Sequence, residues 1–217
     1  MRQSIFLLLA LATLATSGYT QIQVSQEPRH HKVLENEYVR VLDVHIPPHD
    51  TSLMHKHSTP SVFLVLSNTK TGSQVLVEPG KPSFADGNIW FESFHDTPRI
   101  HRVWNEDTVE FHVMDIELPH TPAATFFVRN PPYSKQLFDT RSVRVYRVTL
   151  SPGLHLAMPR SQSPVLVISL SGPPAAGAVN TQPFTKKGDY LFLPGNSPFA
   201  IANNSATEQQ FALLYIK

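Results

Sequence analysis

Val39-Arg40-Val41 returns as Val143-Arg144-Val145, a shift of 104 positions. Carried forward, the same shift pairs Ile46-Pro47-Pro48 with Leu150-Ser151-Pro152, and Val62 to Ser67 with Leu166 to Ser171. It slips to 100 near the ends, where Phe111 pairs with Phe211 and Ile116 with Ile216. One tripeptide recurs by chance, but a run of matches in the same order does not. The chain therefore reads as a duplication, each copy a set of strands roughly 80 residues long.

The segments within each copy are short and rich in β-branched residues. Tyr38 to Ile46, Val62 to Leu66, Gln74 to Val77, Ile89 to Phe91 and Val109 to Leu118 read as strands. So do Ser142 to Leu150, Pro164 to Leu170, Tyr190 to Leu193 and Gln209 to Ile216. Pro, Gly, Asn and Asp punctuate them, and no stretch keeps a helical period. The 19 Pro against 9 Gly suit many turns better than long helices, so the predicted class is all-β. Pro119 to Thr140 holds Pro119, Pro122, Pro131 and Pro132 and reads as a connector, with one short strand at Ala124 to Arg129. The expected boundaries are 1–18 for a leader, 24–118 for the first unit, 119–140 for the connector and 141–217 for the second unit.

The leader is read from Arg2, the apolar run Ile5 to Ala15 and the small residues Ala15, Ser17 and Gly18. The run is too short for a comfortable span, which needs roughly 20 residues. Cleavage near Ser17 or Gly18 is expected to leave a periplasmic or secreted protein with no membrane attachment. With 0 Cys there is no disulfide and no lipid anchor on sulfur, so stability rests on the core. A formal net charge of +1 without a Lys/Arg run gives no nucleic-acid footprint. No G-x-S-x-G, phosphate-cradling Gly-rich loop or H-E-x-x-H is present, and Cys catalysis is excluded.

The 11 His raise a metal question. His55-Lys56-His57 puts two imidazoles at i and i+2, on one face of a strand. His101, followed four residues later by Asn105, is the third candidate. Three neutral imidazoles occupy one face of a divalent ion and leave its other positions open. His30 and His31 read as solvated; His45, His95, His112 and Glu92 read as plain structural residues or partners behind the ligands. Trp90, Phe91 and Trp104 read as core.

At these residues the sequence resembles the cupin superfamily. His55 and His57 match the paired histidines of that family's first motif, G-x5-H-x-H-x3,4-E-x6-G, and His101 with Asn105 matches H-x3-N of the second. The resemblance covers about 37–118 and again 141–217. It implies a double-stranded β-helix (jelly-roll) fold, as two tandem barrels, with one divalent metal held by His55, His57 and His101. The motif's Glu falls at Ser61 or Val62, so the usual fourth ligand is missing; three-histidine members exist in the family. His49 and Asn68 stand where the motif has Gly, residue types that tolerate left-handed backbone better than most. The second copy keeps Gly153, Gly172, Gly188, Pro194 and Asn203 but has Pro159, Ser161 and Phe199 at the metal positions. One working site is expected, in the first copy, with Phe199 as an apolar plug in the second.

The resemblance implies Fe or Mn first, with Zn or Ni as alternatives. It implies a small-molecule substrate, and dioxygenase-like or isomerase chemistry whose catalytic acid and base the sequence does not name. A non-catalytic module that binds metal or a small ligand is the alternative, and both monomer and homodimer remain open.

Overall fold

The computed structural model describes residues 21–121, 128–172 and 177–217. The expected leader at 1–18 lies outside them, as does most of the strand expected at Ala124 to Arg129. The N-terminal unit contains β1 (Ile22–Gln23), β2 (His30–Glu35), β3 (Arg40–Ile46), β4 (His55–His57) and β5 (Ser61–Val65). It continues with β6 (Asn68–Val75), β7 (Lys81–Asp86), β8 (Ile89–Glu92), β9 (Arg99–Asn105) and β10 (Phe111–Glu117). The C-terminal unit has β11 (Ser134–Asp139), β12 (Val143–Leu150), β13 (His155–Ala157), β14 (Val165–Ser169) and β15 (Gly177–Val179). After these come β16 (Gln182–Phe184), β17 (Tyr190–Leu193), β18 (Ala200–Asn203) and β19 (Gln209–Ile216).

Each unit is a pair of sheets, and the strand order repeats. The inner sheets run β2-β3-β10-β5-β8 and β11-β12-β19-β14-β17; the outer sheets run β1-β4-β9-β6-β7 and β13-β18-β15-β16. Even the irregularities recur: the β2–β3 ladder slips between Lys32 and Leu34, and β11–β12 between Gln136 and Phe138, 104 positions on. The left-handed residue after β3 is His49 (φ 61), and its counterpart is Gly153 (φ 72), as its motif position predicts. Asn68 does not share this conformation; it opens β6 as ordinary strand.

Two parts of the sequence reading change. The second unit's first strand, β11, lies inside the stretch read as connector; its sequence SKQLFD is too polar to announce a strand, as is HHKVLE of β2. The late shift is 98, not 100. Leu66 N–H donates to His112 C=O, and Leu170 N–H to Gln210 C=O; Leu118 N–H donates to Pro60 C=O, and Ile216 N–H to Pro164 C=O. Asp115 thus corresponds to Leu213, and Phe111 to Gln209. A slip of two keeps every side chain on the same sheet face, so apolar residues still matched apolar residues.

The two inner sheets share one core, in which Val41, Leu64 and Ile116 pack with Val145, Leu166 and Leu214. Each inner sheet therefore buries one face between the units and the other against its own outer sheet. At roughly 25 cal/mol per Å² of apolar area, this shared layer is a main source of stability.

Candidate metal centre

β4 lies between β1 and β9, and its ladder with β9 sets His55 directly across from His101 and His57 across from Arg99. Alternation along β4 turns both of its histidines into the barrel and Lys56 away. His55 and His57 are buried at 1% and 2% exposure. The Nε2 of His55 lies 3.1 Å from that of His57, which lies 3.0 Å from that of His101. The three sequence candidates therefore converge.

The protonation pattern fits a cation. His55 Nδ1 lies 2.8 Å from the Leu53 carbonyl, which only accepts, so Nδ1 carries the proton and Nε2 presents a bare lone pair to the cluster. Three nitrogens about 2.1 Å from one ion, at right angles to each other, stand about 3.0 Å apart. Burial, reinforced by His30 and His57, pushes the His55 imidazole down to about 3. Burial and its two neighbours hold His101 well below the usual histidine range as well. His55 and His101 are thus kept in the neutral form that a metal requires.

Behind the triad stand residues the sequence reading missed. Asp115, on β10 of the facing sheet, is fully buried, and its Oδ2 is 3.4 Å from His57 Nδ1. Its two oxygens and the Nδ1 atoms of His57 and His101 are buried without a hydrogen-bond partner. The signal was there: an acid in the otherwise apolar alternation Phe111, Val113, Asp115. His30, expected to be solvated, is buried; its Nδ1 is 2.7 Å from Glu27 Oε2 and its ring centroid 4.8 Å from that of His55. Burial works against the Glu27 carboxylate, but hydrogen bonds from His30, Leu53 N–H and Arg29 N–H prevail and bring it to about 2.

The imidazoles open into a cavity of about 230 Å³ whose wall includes Phe63, Trp90, Phe94, Arg99 and Thr71. Trp90, read as core, is 37% exposed and stacks on Phe63 with centroids 5.0 Å apart. Phe94 holds φ 47, an unusual conformation for an aromatic residue, and lays its ring 5.2 Å from that of His57. Arg99 brings a cation to this wall, with its Nε–H buried and unpartnered. Trp104 does pack as structure: a Cβ on Gly72 would sit 2.1 Å from its indole. Asn105 locks the turn after β9, donating to Ile46 C=O (3.0 Å) and Val109 C=O (2.8 Å). Of the other candidates, Glu92 is not on this cavity's wall, and His95 pairs with Asp96 on the surface. His45 and His112 lie on the opposite face of the inner sheet, around Asp43 rather than behind the triad.

In the C-terminal unit Phe199 is buried among Met158, Ile201 and Leu213, as expected of a plug. Met158 N–H donates to Phe199 C=O at 2.9 Å, so the residue across from Phe199 is Met158 rather than Pro159. Methionine and phenylalanine thus stand where the first unit has His55 and His101.

No protein-family model matches the chain, and no curated protein matches it in sequence. Solved structures do match it. A cupin 2 conserved barrel domain protein from Leptotrichia buccalis has TM-score 0.53 and 14% identity, covering 86% of this chain and 87% of that one. YhhW from Escherichia coli has TM-score 0.57 and 14% identity, covering 86% and 84%. A salicylate 1,2-dioxygenase from Pseudaminobacter salicylatoxidans has TM-score 0.57 and 11% identity, covering 82% and 71%; it has also been solved as adducts with gentisate. At such identities the likeness is one of fold.

Proposed function

The chain has the cupin fold, and we propose that it is an exported metal-dependent protein that binds, and with iron oxidises, a small aromatic molecule bearing a negative charge. The observation that carries this reading is the meeting of the three Nε2 atoms at the wall of an aromatic cavity that also holds Arg99. His55, His57 and His101 would hold one divalent ion, Fe or Mn before Zn or Ni, given three imidazole nitrogen donors that leave other positions open. Such an ion would supply Lewis acidity and, as iron, redox chemistry with dioxygen as oxidant. The protein's own part is orientation. Phe63, Trp90 and Phe94 offer ring faces, while the Arg99 guanidinium suits a carboxylate or phenolate. The Leu53 carbonyl fixes the tautomer of His55, and the Asp115 carboxylate faces the rear nitrogen of His57. The gentisate adducts of the similar salicylate dioxygenase support an aromatic acid as ligand class. Export is supported by the run Ile5 to Ala15 behind Arg2; an N-terminus beginning near residue 18 or 19 in protein recovered outside the cytoplasm would bear it out.

A second reading is a binder without turnover. It is favoured by the donor set itself, which contains no carboxylate among the convergent atoms. Oxygen uptake separates the two. Untagged protein loaded anaerobically with Fe(II) is expected to consume oxygen with salicylate, gentisate or catechol, and His57→Ala to consume none. Binding of these compounds without uptake would leave the binder; neither binding nor uptake would end both readings.

A further inference from the structure

Outside the barrel, Asp43, His45 and His112 form a second group whose ligand atoms lie within 4.8 Å of each other. His45 and His112 face each other across the β3–β10 ladder, with rings stacked 4.3 Å apart. Both direct Nε2 at one carboxylate: His112 Nε2 is 2.7 Å from Asp43 Oδ1, and His45 Nε2 is 3.2 Å from Asp43 Oδ2. The other nitrogen of His45 is already committed, its Nδ1 lying 2.7 Å from Glu110 Oε1, an atom that only accepts. With Nδ1–H donated to Glu110, a neutral His45 would turn a bare Nε2 lone pair on the Asp43 carboxylate. A positive charge has to sit between them.

In the absence of an ion that charge is a proton. A divalent ion serves the same electrostatics better, because two imidazoles and a carboxylate, one imidazole braced from behind by a second carboxylate, are a complete zinc-type donor set.

We propose that Asp43, His45 and His112 form a second divalent-metal site of the zinc class, independent of the barrel triad. The site lies where the shared core of the units gives out. All three residues are partly exposed, and they line a crevice that also holds Lys186, Lys187 and Gly188 of the C-terminal unit. Gly188, at φ 82, is packed so closely that a Cβ there would stand 3.3 Å from His112. An ion here therefore ties β3 to β10 beside the turn by which the second unit rests on the first. This donor set includes a carboxylate, whereas the triad offers imidazoles alone, so Zn(II) is expected to bind more firmly here than at the triad. The second unit has no equivalent, since Arg147, Thr149 and Gln210 occupy the matching places.

The test is Zn(II) titration of untagged, chelator-stripped, full-length protein by calorimetry. Wild type is expected to take two equivalents, Asp43→Asn and His112→Gln one each, and His57→Gln one. Asp43→Asn keeps the shape and hydrogen-bonding reach of the side chain, so it serves should His112→Gln fail to fold. Its zinc affinity at this site is expected to fall more than about 10-fold. Two equivalents retained by Asp43→Asn would overturn the proposal. So would a wild type that takes one equivalent and loses it in His57→Gln. Loss of zinc from His57→Gln alone concerns the barrel site only, so the two sites succeed or fail separately.

Discussion

The N-terminal and C-terminal units are built on the same strand order, the same bulge and the same asparagine, yet one barrel is lined with imidazoles and acids and the other with methionine, phenylalanine and leucine. Asn203 repeats Asn105 bond for bond, donating to Leu150 C=O (2.9 Å) and Thr207 C=O (2.8 Å) and accepting from Ser205 N–H. Along the last strand of each unit, Val113, Asp115 and Glu117 of one correspond to Phe211, Leu213 and Tyr215 of the other. The difference teaches a division of labour. An interior that keeps several orphaned polar atoms beside a cavity gives up burial energy, and a neighbour whose interior is mostly apolar supplies it through a shared sheet-to-sheet core.

Exchanging residues between the units tests this division. Leu213→Asp carries the Asp115 carboxylate into an interior with no imidazole. It is expected to cost more than about 4 kcal/mol in urea unfolding, enough to lose the native second unit. A loss below about 1 kcal/mol would mean that the second barrel is not the dry scaffold described. The reverse exchange, Asp115→Leu, removes a buried carboxyl group whose oxygens make no hydrogen bond. Metal-free protein is expected to gain about 1–3 kcal/mol, while metal affinity at the triad falls about 10–100-fold, measured by chelator competition.

Acid separates the units as well. His55 is at about 3 in the folded chain against 6.5 unfolded. Below pH 6.5 the unfolded state takes up a proton that the folded state refuses, so the stabilisation present at neutral pH is lost progressively toward pH 3. His101 acts in the same direction. Metal-free protein should lose about 1.4 kcal/mol per pH unit for each such histidine. His55→Gln should flatten that slope, and an unchanged slope would detach the effect from the triad. The smallest effect is a near-equality. Asn105→Ala and Asn203→Ala each strand buried carbonyls and should cost about 1–3 kcal/mol, alike to within about 0.5 kcal/mol, as matching turns require.

Legibility followed burial. Strands β3, β5, β8, β10, β12, β14, β17 and β19 were all readable, and all lie in the inner sheets, whose interior strands are buried on both faces and read as near-continuous apolar runs; β14, VLVIS, is buried at every residue. Of the outer sheets, only the end of β6 showed, because strands such as β4 (HKH) and β13 (HLA) are short, and half their residues face solvent or a ligand. His55 and His57 were legible because theirs is a same-face spacing, and His101 because it stands four residues before Asn105, as in the second motif of the family the chain resembles. Glu27 and His30 were not, because they meet the triad only once the chain is folded; Asp115 stood out as an acid in an apolar alternation, but its place behind His57 depends on one sheet packing over another. Repeat matching by residue similarity also ran two positions out at β19, an error that alternation conceals.

The strand β1 carries a consequence for how firmly the histidine strand is held. Ile22 and Gln23 pair in parallel with His55 and Lys56, and a few residues on Glu27 accepts the N–H of Leu53. The outermost hydrogen-bonded support of the histidine strand is therefore β1 itself, Ile22–Gln23. A protease nick just past Gln23 would leave the sheet edge bare and free the very backbone that aims two of the three rings, so the pairing of Ile22 and Gln23 would govern how closely the imidazoles of the triad are held together.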